Sequence, residues 1–199
     1  MTTTLDLTPA TAALTDLVNG VRDDQLDLPT PCPQMSVRDL LDHVSGLSLA
    51  FAAAGTKEQL PGGSQPPSVD GSRLTDDFRP LIGRRLRDLA DAWKVEDAWQ
   101  GMTEAGGIQM PGDIAGSVAI NEVMVHGWDL AAATGQELRV DPRLVEAAFE
   151  FVRQSALQNP GGTPGLFGPP VPVPPSAPRI DQLIGLSGRN PGWQGNGAG

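Results

Sequence analysis

Cysteine is almost missing from this 199-residue chain: Cys32 is the sole example, which permits no internal disulfide and no metal site built from cysteines alone. Long apolar runs are missing too. No stretch approaches the ~18 uncharged apolar residues of a membrane helix, and the opening MTTTLDLTPA has neither a basic region nor an apolar core of the kind that directs export. The expectation is a cytoplasmic protein. Positive charge is scarce: Lys plus Arg number 14 against 24 Asp plus Glu, a net charge of -10. That balance repels phosphate backbones and anionic lipid unless a basic patch is concentrated somewhere. Only Arg84, Arg85 and Arg87 cluster, and a solvated helix face explains them, so neither nucleic acid nor membrane is an expected partner. Histidine occurs twice, at His43 and His126. Any metal or acid–base chemistry must come from these two and the carboxylates.

What is present is enough apolar residue for one ordinary domain. The 39% apolar content, together with 24 glycines, is typical of a globular chain. Glycine and proline are unevenly spread: they make up 19 of the 40 residues from Pro160 onward but 24 of the 159 before it. The pattern predicts a helical body over residues 1–159 and a Pro/Gly-rich extension of the same domain over 160–199. Thr8-Pro9 reads as a cap and first turn, with Leu14, Leu17, Val18 and Val21 following at helical spacing to about Arg22. Ser36 and Asp39 form a reciprocal cap before Val37, Leu40, Leu41, Val44, Leu47 and Phe51, a helix to about Ala54. Residues 55–71 are a long surface connection of the kind that joins parallel bundle helices or borders a site. A third helix carries Leu74 to Trp93, with Pro80 kinking it or delaying its start. Gly106-Gly107 suggests a turn or small hairpin. A fourth helix spans Asp113–Thr134 and closes at Gly135, and Asp141-Pro142 opens a fifth. In the tail VPVPP should be extended, with a short helix near Ile180–Leu186. Residues 160–193 are too apolar for a free linker and should pack on the bundle, leaving 194–199 mobile.

The chemistry concentrates on the fourth helix. At about 100° per residue, Ile114, Val118, Glu122, Val125 and Asp129 share one stripe, with His126 at its edge. A carboxylate on an apolar face needs a cation, since burying it unpaired costs several kcal/mol. Glu122 and His126 are one turn apart and can reach one ion. His43 sits at the edge of the apolar stripe of the second helix and should also look inward. Two histidines and one glutamate form a three-donor set that leaves positions open for water or substrate. The same residues could instead be a hydrogen-bonded core histidine and a Glu–His pair on a helix face. Cys32, between two prolines, is either a fourth ligand or a small plug before the cap. Asp129 either orients the free nitrogen of His126 or faces solvent. Trp93 and Trp128 read as core or pocket wall.

The segments TPCPQMSVRDLLDHV and NEVMVHGWDLAAATG resemble the two metal-binding motifs of the DinB-like superfamily, and more closely the metal-binding domain of the mycothiol-dependent maleylpyruvate isomerase family of actinobacteria. The tail FGPPVPVPPSAPRIDQLIGLSGRNPGW is similar to the end of that family's short, single-domain branch, so the resemblance spans about residues 8–193. It implies an all-α, DinB-like four-helix bundle with an additional helix. It also implies one divalent ion, usually zinc with nickel, iron or manganese as alternatives, held by His43, Glu122 and His126, and a mycothiol-like thiol as cosubstrate. Met35 stands where family members commonly carry tryptophan.

On this reading the protein is a metal-dependent enzyme that activates a low-molecular-weight thiol, for S-transfer to a small electrophile or for its isomerisation, with the loops at 55–71 and 100–112 shaping the electrophile pocket. The rival is a metal- or ligand-binding stress or accessory module without catalysis. A carboxylate-bridged di-iron site fails for want of two Glu-x-x-His motifs, whereas a non-haem iron oxygenase stays compatible with two histidines and a carboxylate. A homodimer is also compatible with the sequence.

Overall fold

Local sequence decides where each helix begins. The computed structural model describes residues 4–33, 35–60, 63 and 65–195. The first helix, α1, spans Thr8–Gly20 with Pro9 in its opening turn. Thr8 is not its cap, contrary to the sequence expectation. Asp6 lies two residues upstream, and its carboxylate accepts the Thr8 N–H at 2.9 Å, meeting the positive end of the helix more effectively than a hydroxyl. The helix also stops at Gly20 rather than near Arg22.

α2 spans Val37–Thr56 and opens with the reciprocal cap. Ser36 Oγ accepts the Asp39 N–H at 3.2 Å, and Asp39 Oδ2 accepts the Ser36 N–H at 2.9 Å. Asp39 Oδ1 also accepts the Gly71 N–H at 2.8 Å, which ties the long connection after α2 back to its start. These donors, the Ser36 hydroxyl foremost, hold the Asp39 carboxyl below the usual carboxylate range. The stability it contributes is therefore present above the pH at which a free aspartate titrates, about 4, and is lost as pH falls through the lowered folded value. Asp39→Asn is expected to lower the melting temperature at neutral pH and to flatten its decline below about pH 4. An acid limb identical to that of the wild type would contradict this assignment.

α3 spans Phe78–Ala92. Pro80 delays its start rather than kinking it, because as the third helical residue it sits where backbone N–H groups have no intrahelical partner. A hairpin follows, β1 (Met102–Ala105) paired antiparallel with β2 (Ile108–Pro111). Its two-residue turn uses Gly106 and Gly107 at φ +59° and +80°, as the primed turns require. α4 spans Gly112–Thr134 and ends at Gly135 with φ +70°. α5 (Pro142–Gln158) is capped by the Asp141 carboxylate accepting the Arg143 N–H, and α6 spans Arg179–Leu186.

Contacts between helices fix the topology. α1 and α2 each pack against both α3 and α4, so α1 lies diagonal to α2. Ser45 meets Arg85 and the Phe51 carbonyl meets the Trp93 indole, so α2 and α3 run parallel, as a long connection allows. Arg79 reaches the Val21 carbonyl while Thr15 neighbours Gly83, so α1 opposes α3. Of the three clustered arginines, Arg84 and Arg87 are exposed as expected, but Arg85 is half-buried and joins α3 to α2 through Ser45 Oγ at 2.7 Å. At one end of the bundle Trp93 is fully buried and meets Trp99 edge-on at 5.1 Å. Gly116 lies so close that a Cβ there would fall 2.6 Å from the Trp99 ring. This close fit turns the Gly112/Ala115/Gly116 side of α4 inward. Ile114, expected in the inward stripe, is consequently 41% exposed.

The extension packs on the bundle. α6 lies against α5, and Phe167, Leu183 and Ile184 are buried. Val171 N–H bonds the Gly185 carbonyl and Gly168 N–H the Ser187 carbonyl, stitching the proline-rich strand to the helix. Gln194 and Gly195 are exposed, and the rest of the expected mobile end, 196–199, lies outside the described residues. No helix among the described residues is long and apolar enough to cross a membrane.

Candidate metal centre

α2 and α4 are neighbours, which brings His43 from the second turn of α2 to Glu122 and His126 in the middle of α4. One donor atom from each of the three lies within 4.8 Å of the other two. The Nε2 atoms of both histidines face the same carboxylate oxygen, Glu122 Oε2, at 3.2 Å from His126 and 3.8 Å from His43. The rings stand edge to face, 83° apart with centroids 4.9 Å apart. Side-chain exposure is 7% for His126, 14% for Glu122 and 15% for His43, so the cluster is covered yet reachable.

The electrostatics follow from that burial. Burial alone would raise the Glu122 carboxyl, but hydrogen bonds from His126 and His43 overcome it and bring it down to about 2. Burial alone would lower His126, but hydrogen bonds to Asp129 and Glu122 raise it to about 9. Both flanking carboxylates thus favour the protonated form of His126, and any cation placed at its Nε2 competes with a proton there.

Asp129 does not face solvent. It is fully buried, with Oδ2 3.0 Å from His126 Nδ1. Its other partner is Arg189, from the extension, at 3.1 Å to Oδ2 and 3.4 Å to Oδ1. Arg189 was not anticipated: it follows α6 in a glycine-rich stretch without helical period, 60 residues from Asp129, and its one sequence sign is a place in the family-like tail. Cys32 is half-buried and is not one of the three clustered residues. Burial pushes its thiol up, with the Arg189 guanidinium pulling the other way. Trp93 is core, and Trp128 is half-buried beside the cluster in sequence. The loops expected to frame an electrophile pocket border, with α2, an open cleft of about 600 Å³, but its walls are Ala50, Ala53, Lys57, Leu60, Thr103 and Glu104 among others, and none of the three clustered residues. It lies along α2, on the order of 10 Å from His43 at 1.5 Å per residue.

The residues present fit a divalent ion. Two imidazoles and a carboxylate converge and His126 has its far nitrogen held by a carboxylate, whereas His43 Nδ1 is buried without such a partner among the described residues.

Residues 7–131 match the family model of the mycothiol maleylpyruvate isomerase N-terminal domain. The chain belongs to this family. Proteins similar to this chain include two uncharacterized proteins of Mycobacterium tuberculosis, from strains CDC 1551 / Oshkosh and ATCC 25618 / H37Rv. Each is 30% identical over 182 residues, covering 89% of this chain and 92% of its own length. Among solved structures, the mycothiol-dependent maleylpyruvate isomerase superposes with a TM-score of 0.55 at 22% identity, and a histidine-to-alanine variant of it with 0.54 at 20%. At that identity the likeness establishes the DinB-like fold. Each superposition covers 74% of this chain and 66% of the isomerase, so about a third of that protein has no counterpart in the match.

Proposed function

We propose that His43, Glu122 and His126 hold one divalent metal ion, and that the protein uses it to activate a low-molecular-weight thiol of the mycothiol type. Zinc suits the donor set best, with nickel, iron or manganese as alternatives. The thiol would act in S-transfer to a small electrophile or in its thiol-assisted isomerisation. Residues 160–199 are read as part of the same domain, and the cytoplasm as its location. The observation that supports this reading is the convergence of three donor atoms within 4.8 Å, two of them imidazole nitrogens turned to one buried carboxylate.

A divalent ion, when bound, supplies the Lewis acidity that makes a thiol ionise at neutral pH. The chain's own residues do the rest. Glu122 sets a negative charge between two imidazoles and so limits the net positive charge of the site. With an ion at Nε2, Asp129 would hold the remaining proton of His126 on Nδ1 and so keep Nε2 turned toward Glu122. Both Asp129 oxygens are already engaged, so this carboxylate orients rather than accepts a proton from substrate.

The test is metal analysis of protein purified without a metal-binding tag, followed by thiol transfer to a chromogenic electrophile. About one ion per chain and metal-dependent turnover are expected. A stoichiometry near zero in unchelated protein would remove the metal reading. Full metal without turnover would leave the non-catalytic binding module as the better account.

A further inference from the structure

We infer that Arg189 is a positioning residue for the metal centre: the C-terminal extension fixes Asp129, Asp129 fixes the His126 ring, and the extension thereby completes a site whose donors all lie in the bundle. The inference rests on the metal reading above.

Asp129 has no exposed surface, and a buried carboxylate must have its oxygens satisfied. His126 Nδ1–H occupies only Oδ2, at 3.0 Å. Arg189 supplies the rest through a two-pronged approach, Nη2–H to Oδ2 at 3.1 Å and Nε–H to Oδ1 at 3.4 Å. Such a fork fixes the plane of the carboxylate as well as its charge. The plane of the carboxylate in turn fixes the imidazole that shares Oδ2.

The arginine is itself held. Its Nη1 donates to the Ser187 carbonyl at 3.3 Å, and Ser187 is fully buried with its hydroxyl on the Ile184 carbonyl. Gly188, at φ +90°, turns the chain out of α6 so that the Arg189 N–H returns to the Ile184 carbonyl. A Cβ at Gly188 would lie 2.6 Å from Gly168, so the turn is also packed shut. An arginine next to a reactive centre could alternatively bind an anionic substrate. Here all three guanidinium nitrogens point at protein acceptors and the side chain is 10% exposed, which favours positioning over capture.

The experiment is cobalt(II) titration of the full chain, reading affinity and the visible d–d spectrum. Wild-type protein should bind cobalt and give a defined spectrum; no binding at all would overturn the metal reading itself. Arg189→Gln should bind more weakly, by up to about tenfold, the low end of the cost of losing a direct partner of a ligating histidine because Arg189 acts through Asp129, and with an altered spectrum. Arg189→Lys, which keeps the charge but not the fork, should recover part of the loss. Wild-type affinity and spectrum in Arg189→Gln, even with a lowered melting temperature, would overturn the inference. Should that variant not fold, Arg189→Lys is read directly against wild type, since it keeps the charge beside Asp129 and removes only the fork. Weaker cobalt binding with an altered spectrum would support the inference, and wild-type affinity and spectrum would overturn it.

Discussion

Glu122→Gln is expected to remove the metal ion while leaving the bundle folded. The substitution keeps the shape of a side chain that lies between two imidazoles but deletes its charge. Metal affinity should fall on the order of a hundredfold or more, beyond the effect of disturbing an outer partner. Folding should survive because the partners left behind are histidines, which can give up a proton and stay buried as neutral rings. Asp129 offers the contrast: its truncation would strand the Arg189 guanidinium, a permanently charged group, at a cost of about 3–5 kcal/mol. His43→Ala and His126→Ala should lose metal in the same way. In all three variants thiol transfer should vanish together with the ion, measured by metal content, melting temperature and turnover on the same preparations. Full transfer by variants empty of metal would end the catalytic proposal. A collapse of the fold in each would favour a structural ion, whose binding energy is folding energy.

Trp93→Ala is expected to do the opposite, damaging the fold while sparing the site. The indole is fully buried where α2, α3 and α4 meet, donates to the Phe51 carbonyl at 2.9 Å, and contacts Trp99, whose own indole donates to the Trp93 carbonyl. Emptying this volume should cost about 3–5 kcal/mol, because Gly116 and Gly55 bring helix backbones against the ring and leave little that can collapse inward. For a chain of this size that is a fall of roughly 6–20 °C in melting temperature. Metal content measured well below the transition should stay at the wild-type level. A melting temperature within a degree or two of wild type would show that this end of the bundle contributes far less than its packing indicates.

The two experiments divide along the same line as the legibility of the sequence. Signals confined to a turn or a cap were readable: Ser36 with Asp39, a disturbance of α3 at Pro80 that left kink and delay both open, Gly106-Gly107 at the hairpin, and Gly135 at positive φ. Each depends on chemistry within a few residues. The three clustered residues were readable for a related reason. Helical period places Glu122 one turn from His126, and the apolar stripe of α2, with His43 at its edge, turns that ring toward the same interior. What escaped was tertiary. The Arg189 fork depends on where a glycine-rich turn lands after crossing α5 and α6, and no local pattern encodes that. Ile114 was misplaced because the indoles of Trp93 and Trp99, not the helical period of α4, decide which side of its first turns faces inward. Thr8 lost the cap position for a simpler reason: the helix starts one residue earlier than expected, with Leu7 as its cap residue, and the Asp6 carboxylate takes the Thr8 N–H.

The Trp93–Trp99 pair also gives the molecule an optical signature of its own. The chain contains no tyrosine, so its near-ultraviolet signal is dominated by four tryptophans. Two of these are coupled edge to face at 5.1 Å at the end of the bundle that carries the hairpin. A third, Trp128, lies two residues from His126 on the helix that carries the site. Circular dichroism of the coupled pair and quenching of Trp128 by a paramagnetic ion therefore watch two separate regions of one bundle. Followed together through a denaturant titration, coincident transitions would mean that the bundle melts as a unit. A site signal lost first would mean that the end holding the extension loosens while the indole pair is still locked, making release of the ion an early event in unfolding rather than its consequence.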